Sequence, residues 1–162
     1  MQPVLVIELL ILIGVANALP VAAKKLFGER WARPVDGGAT FFDGRPVFGP
    51  SKTIRGMLLS LLITPLFALP LGFPWELGAL IAAAVMVGDL LSSFLKRRMG
   101  LAPSSRATGL DQIPESLFPF LASRWLVPVS PLDIVAGVTI FLVAAPLLSR
   151  LFHRLGLRDQ PY

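Results

Sequence analysis

Long apolar runs alternate with short polar or basic segments along the whole chain. Five runs are apolar enough to be treated as membrane-crossing helices: 3–23, 56–73, 77–95, 113–129 and 132–152. A helix rises about 1.5 Å per residue and a bilayer core is about 30 Å thick, so one crossing takes roughly 20 residues. The pattern predicts an all-α integral membrane protein, with five transmembrane helices forming a single domain over residues 1–162.

The composition supports a membrane protein and excludes several classes of site. Hydrophobic residues make up 54% of the chain and charged residues only 15%, where a soluble domain has nearer a quarter. There is no cysteine, which excludes thiolate catalysis, cysteine-bound zinc and iron–sulfur clusters. A single histidine argues against a serine–histidine triad or a multi-histidine metal site.

Basic residues are distributed in a way that predicts the topology. Lysine and arginine number seven in 24–55, four in 96–112 and three after Leu148, whereas the links 74–76 and 130–131 hold none. Because cytoplasmic segments are enriched in these residues, the N-terminus is predicted outside and the basic segments in the cytoplasm. We therefore expect a multi-pass protein of the cell membrane. Its net charge of +5 is explained by basic residues attracted to anionic lipid, and no nucleic-acid partner is expected.

The first cytoplasmic segment, 24–55, is too long to be a simple connector, so we expect it to be functional. Asp43-Gly44 lies between two apolar runs, which predicts a short β-hairpin at 39–48. A glycine turn, hydroxyls and a lysine come next, just before a predicted helix, in Gly49-Pro50-Ser51-Lys52-Thr53-Ile54-Arg55-Gly56. It could bind an anion, or it could simply start the helix with Ser51 or Thr53 as its cap.

Two polar residues lie deep within predicted membrane spans. Asp89 is six residues before the end of the third span, and Asn17 is at a similar depth in the first. A carboxylate at roughly 9 Å inside the membrane boundary is costly and is a functional candidate. Together the two residues predict a polar pocket open to the cytoplasm, although Asp89 could instead form a structural salt bridge with Lys96 or Arg55.

In the second cytoplasmic segment, 96–112, residues 99–112 are rich in Gly, Ser and Pro and are predicted to be a flexible loop. It ends at Asp111, at the mouth of the fourth span, where Asp111 or Glu115 could simply favour a helix N-terminus. Asp89 and Asp111 among several cations suit phosphate chemistry with Mg²⁺, since carboxylate and phosphate oxygens share a hard cation.

Two further charges are predicted to be unrelated to this pocket. Glu8 and Arg124 each lie five residues inside the outer end of a predicted span. At matching depth, an ion pair between them would offset the cost of burying both charges.

The motifs resemble those of the compact archaeal CDP-archaeol synthase family. The resemblance lies in Asp43-Gly44-Arg45-Pro46 with residues 49–56, and in Gly88-Asp89-Leu90, Ser93, Lys96-Arg97-Arg98 and Leu110-Asp111-Gln112-Ile113-Pro114. That family is similar to the larger CTP:phosphatidate cytidylyltransferases, whose lysine–threonine block corresponds to Lys52-Thr53. The lysine–aspartate pair and the His-Gly-Gly step of the larger enzymes are absent here.

The resemblance implies transfer of CMP from CTP to an archaeal isoprenoid glycerol-ether phosphate, with release of pyrophosphate at the cytoplasmic face. It implies that Asp89 and Asp111 hold Mg²⁺ and act in catalysis with Lys52 and Lys96. The residues implied to bind the substrates are Ser51, Thr53, Arg55, Ser93, Arg97, Arg98, Asn17 and Gln112.

Three other functions fit the residues less well. A CDP-alcohol phosphotransferase needs Asp-Gly-x-x-Ala-Arg, which Asp36-Gly37-Gly38-Ala39-Thr40 does not match. A histidine-type lipid phosphatase needs two active-site histidines, and the chain has one. A small transporter or channel remains the alternative, with Asp89 and Asn17 lining a polar path, although the polar residues cluster at one face.

Overall fold

The computed structural model describes residues 1–103, 105, 107, 109–154 and 156, and these residues form a bundle of helices. The helices are α1 (Pro3–Phe27), α2 (Ile54–Ala68, continued by a 3-10 turn at Leu69–Leu71), α3 (Trp75–Arg98), α4 (Gln112–Ser123) and α5 (Pro131–Arg154). Four of them, α1, α2 with its turn, α3 and α5, are long and apolar enough to cross a membrane. The structure therefore confirms the prediction of an all-helical protein with helices suited to a membrane.

The bundle has an apolar core and an apolar outer surface. Leu9, Leu12, Ile81 and Phe120 are fully buried between helices. Large apolar side chains are also exposed all along the outside of the helices, among them Ile7, Ile11, Leu58, Leu62, Val135 and Val143. A helix that is apolar all round is suited to lipid on its outer face.

Hydrogen bonds join the start of α1 to the start of α5. The backbone N–H of Gln2 donates to Asp133 Oδ1 at 2.7 Å, and the hydroxyl of Ser130 donates to Asp133 Oδ2 at 2.6 Å. The side-chain amide of Gln2 also donates to the carbonyl of Pro128. The two helices therefore begin at the same end of the bundle and run parallel. We call the opposite end, which carries segments 28–53 and 99–111, the loop end.

Glycines let neighbouring helices approach closely at proline residues. A Cβ on Gly56 would lie 2.9 Å from Pro20, one on Gly78 would lie 2.6 Å from Pro65, and one on Gly88 would lie 2.5 Å from the Pro114 carbonyl oxygen. Small residues at helix contacts allow the close backbone packing on which membrane helix association depends. These contacts set the α1–α2, α2–α3 and α3–α4 spacing.

The helix of the short fourth span predicted at 113–129 ends earlier than the apolar run does. Helix α4 has 12 residues, which is about 18 Å, and the chain leaves the helix at Arg124 through a series of turns. Its start packs on Gly88, ten residues before the end of α3. The last turns of α3 therefore have no part of α4 beside them, and this leaves a space at the loop end.

The predicted β-hairpin at 39–48 is wrong, because the described residues contain no strand. A turn is present, with Gly44 at φ 73° and the Phe41 N–H donating to the Arg45 carbonyl at 2.8 Å. The only bridge there joins Thr40 to Pro46. On the other side of this bridge the Val47 N–H donates to the Ala39 carbonyl at 3.0 Å, so the pairing is one bridge long and does not continue as strands.

The ion pair predicted between Glu8 and Arg124 does not form. Arg124 follows the end of α4 and is exposed, whereas Glu8 lies at a separate cavity with Gln2, Phe73 and Val127. The pairing assumed a helix that continued through Arg124. Of the basic residues used to predict topology, Arg106 and Arg158 lie outside the described residues.

Replacing Gly137 with alanine tests the packing of α4 on α5. A Cβ at Gly137 would lie 2.1 Å from Cζ of the buried Phe120 ring, so the helices would have to separate. We expect Gly137→Ala to lower the free energy of unfolding by about 1–3 kcal/mol, seen as a lower Tm in detergent.

The matched control is Gly14→Ala in α1, where a Cβ would meet nothing within 4 Å. Alanine is favoured over glycine within helices, so this variant should keep or raise the Tm. Equal Tm values for the two variants would contradict the contact.

Candidate active site

A cavity of about 400 Å³ opens at the loop end, in the space left beside α3 by the short α4. It collects eleven of the twelve residues predicted to act in catalysis or binding. These are Asn17, Ser51, Lys52, Thr53, Arg55, Asp89, Ser93, Lys96, Arg97, Asp111 and Gln112. Arg98 is the exception, since it does not line the cavity. The sequence therefore identified a set of residues that the fold brings together from four separate segments.

Two lysine–aspartate pairs are the main electrostatic feature of the cavity. Lys52 Nζ lies 2.5 Å from Asp89 Oδ1, and Lys96 Nζ lies 2.7 Å from Asp111 Oδ1. The first pair joins segment 28–53 to α3, and the second joins α3 to the residue before α4. Asp89 is thus paired, as one interpretation of the sequence required, but its partner is Lys52 and neither Lys96 nor Arg55.

Lys52 is held in its charged form by the surrounding carboxylates. Burial by itself lowers the pKa of a lysine, but Asp89, with smaller contributions from Glu115 and Asp111, raises the pKa of Lys52 above its ordinary value. The side chains of Lys52 and Asp89 are each 21% exposed, so both remain accessible from the cavity. An ammonium group at this position can exchange a carboxylate partner for a phosphate.

Glu115 is a cavity residue whose importance the sequence reasoning missed. It lies in the first turn of α4, is half-buried, and its carboxyl group lies next to that of Asp89. The sequence analysis gave it only a favourable charge at a helix N-terminus. Its spacing of four residues from Asp111 was the available signal, because residues i and i+4 share a helix face.

Arg55 closes the end of α1 as well as lining the cavity. Its guanidinium donates to the carbonyls of Gly28, at 3.1 Å, and Arg30, and it lies over the Phe27 ring at 5.7 Å. Both carbonyls belong to the turn that follows α1, so Arg55 fixes this turn against the end of the helix.

Arg98 anchors segment 28–53 to the end of α3. It donates to Asp43 Oδ1 at 2.7 Å and to the Pro46 carbonyl at 2.6 Å. It also lies 4.7 Å from the ring centre of Phe41 and 5.0 Å from that of Phe94. With these groups bound, and outside the cavity lining, Arg98 acts in this structure as a structural residue. Its role in substrate binding stays a prediction.

The Asp36 carboxylate organises the turn that brings Lys52 into the cavity. Oδ2 of Asp36 accepts from the N–H groups of Phe48 at 2.8 Å and Gly49 at 2.9 Å, while Oδ1 accepts from that of Gly38. Although desolvation raises it, these backbone donors lower the pKa of Asp36 below its ordinary value of 3.8 overall. Gly49 has φ 97°, a conformation that favours glycine.

Thr53 is the N-cap of α2, because its Oγ1 accepts from the Gly56 N–H at 3.2 Å. The interpretation of 49–56 as a helix start is therefore confirmed for Thr53. Ser51, by contrast, is exposed at the cavity wall. Its role in binding an anion stays a prediction.

The second loop is tied to α3 and α4 through polar side chains. Arg97 donates to the Ala102 carbonyl at 2.8 Å, and Lys96 donates to that of Ser105 at 3.3 Å. Gln112 accepts from the Gly109 N–H at 2.7 Å. Three loop positions, 104, 106 and 108, lie outside the described residues. The described ones place Lys96 and Arg97 between loop and cavity, where both are buried.

Comparison with known proteins gives consistent matches along the chain. The family model described as CarS-like, CDP-archaeol synthase, matches residues 66–162. The CDP-archaeol synthase of Thermococcus onnurineus (strain NA1) is 40% identical over 139 residues, covering 79% of this chain and 75% of that protein. The CDP-archaeol synthase of Methanococcus aeolicus (strain ATCC BAA-1280 / DSM 17508 / OCM 812 / Nankai-3) is 31% identical over 167 residues, covering 90% and 88%.

A solved structure is similar as well. It is described as an intramembrane enzyme for archaeal membrane lipids biosynthesis, and it matches with a TM-score of 0.71 at 31% identity. The match covers 88% of this chain and 90% of that chain. The similarity therefore extends over the helices that surround the cavity as well as over the sequence motifs.

The role of Asp36 predicts a pH-dependent loop. A lowered pKa in the folded state means that the stabilisation is present above pH 3.8 and is lost as the pH falls through the lower folded value. We expect Asp36→Asn to speed hydrogen exchange at Phe48 and Gly49 at neutral pH, and the difference from the unmodified chain to vanish in acid. Glu76→Gln, at the far end of α3, is the control; a similar change there would contradict the assignment.

Proposed function

Since the chain belongs to the CDP-archaeol synthase family and is therefore a membrane cytidylyltransferase of lipid synthesis, we propose that the loop-end cavity is its active site. The substrates are CTP and an isoprenoid glycerol-ether phosphate. The observation that carries this proposal is the presence of both lysine–aspartate pairs in one cavity whose deeper wall is apolar. A water-soluble nucleotide and a membrane-embedded lipid must meet at such a boundary.

The reaction is a displacement at phosphorus. An oxygen of the lipid phosphate attacks the α-phosphorus of CTP and forms the new P–O bond. The bond from that phosphorus to the oxygen bridging to the β-phosphate breaks, and pyrophosphate leaves with the electron pair. Because the nucleophile is already an anion, the step needs no general base. His153 is not among the cavity-lining residues, which is consistent with this chemistry.

Lysine and arginine side chains supply the stabilisation that phosphate transfer requires. Lys52, Lys96 and Arg97 line the cavity on the side of the loops, where the triphosphate would be bound. As charge builds on the departing pyrophosphate, fixed cations in a partly desolvated site lower the barrier. Arg55 adds positive charge from the start of α2, although its N–H groups also close α1.

The carboxylates suit a magnesium ion shared with the substrate. In the described part of the chain no three acidic or histidine side chains form a ready-made metal cage. A pair of aspartate carboxylates fits Mg²⁺, which is bound through one or two carboxylates together with phosphate oxygens and water. We assign Asp89 and Asp111 as its ligands, with the carboxyl of Glu115 next to Asp89. When bound, the ion would withdraw charge from the phosphates.

The orientation follows from the charges at the two ends of the bundle. The loop end carries the C-termini of α1, α3 and α5 with their basic residues. Among the described residues, the opposite end carries one basic residue, Arg124. We place the loop end in the cytoplasm, where CTP is available. On this topology α4 and residues 124–130 together return the chain across the membrane, which gives the five crossings predicted from sequence.

The packing argues against a transport path. Below the cavity, Leu9, Leu12, Leu77 and Phe120 are fully buried and belong to one continuous apolar core. A polar route would have to cross this core, so Asp89 and Asn17 are better understood as residues of a cavity closed at its inner end.

The first experiment is pyrophosphate release by detergent-purified protein. We expect release from CTP only when digeranylgeranylglyceryl phosphate and Mg²⁺ are both present, with EDTA stopping turnover and added Mg²⁺ restoring it. Folded protein that releases no pyrophosphate with any lipid phosphate would contradict the proposed activity, and turnover unaffected by EDTA would contradict the metal.

Asp89→Asn tests the centre of the site. It removes the partner of Lys52 and a proposed metal ligand while keeping the size of the side chain, so we expect kcat to fall by about 10²-fold or more. Asp43→Asn is the matched control, because Asp43 lies outside the cavity lining and its pair with Arg98 is structural. Its kcat should stay within a few-fold of the unmodified chain, and equal losses in the two variants would point to folding as the cause.

A further inference from the structure

The cavity has two chemically different sides. The charged side chains lie near the two loops, whereas the side facing the bundle carries Val21 from α1, Met86 and Leu90 from α3, and Phe141 and Ala145 from α5. A triphosphate or a cytosine ring would gain little from the second side. Isoprenoid chains would bury apolar surface there.

The helices around this apolar side are packed unevenly. Helix α3 packs on α1, α2 and α4, and α5 packs on α1 and α4, but α3 and α5 make no substantial contact with each other. The ends of α1 and α5 are joined at the loop end, because Lys25 in α1 donates to the carbonyl of Gly156 just after α5. Because α4 begins only at the level of Gly88, it does not fill the gap between α3 and α5 at the loop end.

Ser149 lies on the α5 wall of the cavity and has a hydroxyl that lacks a partner. It is 4% exposed, and its Oγ has no hydrogen-bond partner in the described structure. Three other helical hydroxyls, those of Ser116, Ser123 and Thr139, donate to the carbonyl four residues earlier. The buried Thr64 hydroxyl in α2 also lacks a partner, but Thr64 does not line the cavity. A buried hydroxyl that neither follows this pattern nor finds another partner is costly unless a ligand supplies an acceptor.

Ser149 also lies at a depth suited to the polar end of a lipid. Helices α1 and α5 start together at the contact of Gln2 with Asp133 and run parallel. Ser149 is sixteen residues beyond Asp133, and Asn17 is fifteen beyond Gln2, so each lies roughly 23 Å along its helix. Two polar side chains therefore face one cavity at one depth, from helices on either side of its apolar region.

We propose that the lipid substrate enters between α3 and α5 and that the Ser149 hydroxyl donates a hydrogen bond to an oxygen of its glycerol-phosphate end. The isoprenoid chains lie along Leu90 and Ala145, and CTP occupies the side of the cavity near the loops. This inference rests on the proposed function, because it assigns a position to the second substrate of that reaction.

Kinetics of Ser149→Ala test the hydrogen bond. With digeranylgeranylglyceryl phosphate in detergent micelles, we expect the apparent KM for the lipid to rise about three- to ten-fold and that for CTP to stay unchanged. Ser123→Ala is the matched control, since this buried serine donates to the Pro119 carbonyl and does not line the cavity. An unchanged lipid KM in Ser149→Ala, or a change in the CTP KM instead, would overturn the assignment.

Cysteine labelling tests the route without turnover, and the absence of native cysteine makes single-cysteine variants clean probes. The lipid phosphate should slow maleimide labelling of Leu90→Cys and Ala145→Cys, while CTP should not. Val143→Cys, on the exposed face of α5, should label equally with and without lipid. Protection by CTP alone, or no protection by lipid, would overturn the route.

The two tests also separate this inference from the proposed function. If the unmodified chain releases no pyrophosphate from CTP with the lipid, the proposed activity fails, whatever the labelling shows. If it does release pyrophosphate but neither Ser149→Ala nor the cysteine variants respond to lipid, the activity stands and the lipid position is wrong.

Discussion

The contact of Pro114 with Gly88 sets the architecture of the site. Because glycine has no side chain, the first turn of α4 lies directly on the backbone of α3, midway along that helix. From there α4 fills the half of the bundle away from the loops and leaves the loop half open. The cavity, the position of Glu115 beside Asp89 and the gap between α3 and α5 all follow from where this short helix begins.

The lysine–aspartate pairs show how charged groups are kept so far inside a membrane bundle. Desolvating an unpaired carboxylate is expensive, and removing one partner of a buried pair costs more than the pair contributes. Lys52 and Lys96 therefore hold Asp89 and Asp111 in position before substrates arrive. In the proposed reaction each lysine would move from a carboxylate to a phosphate oxygen, so that no charge of the site is left uncompensated.

The sequence predicted the chemistry of the site better than its geometry. The motifs around Lys52, Asp89 and Asp111 were recognisable because a charged residue within or beside an apolar run is costly and therefore usually serves a function. The length of α4 was not predictable in this way, because hydropathy reports that residues 113–129 are apolar and does not report where the helix stops. The loop contacts of Arg98 were not predictable for a related reason: a basic residue next to a motif looks the same in sequence whether it binds phosphate or the carbonyls of a loop.

Pairings between distant residues were the least accessible to sequence reasoning. The sequence does not show that Gly88 packs on Pro114 or that Gln2 donates a hydrogen bond to Asp133. Both contacts depend on the heights of the helices relative to one another along the bundle axis. Those heights decide function here. With α1 and α5 starting together and α4 starting late, Asn17 and Ser149 come to the same depth beside an apolar gap, while Lys52 and Lys96 face the loops. In the function proposed here, the polar side of this one cavity binds the nucleotide, its apolar side binds the lipid, and the reacting phosphates meet between them.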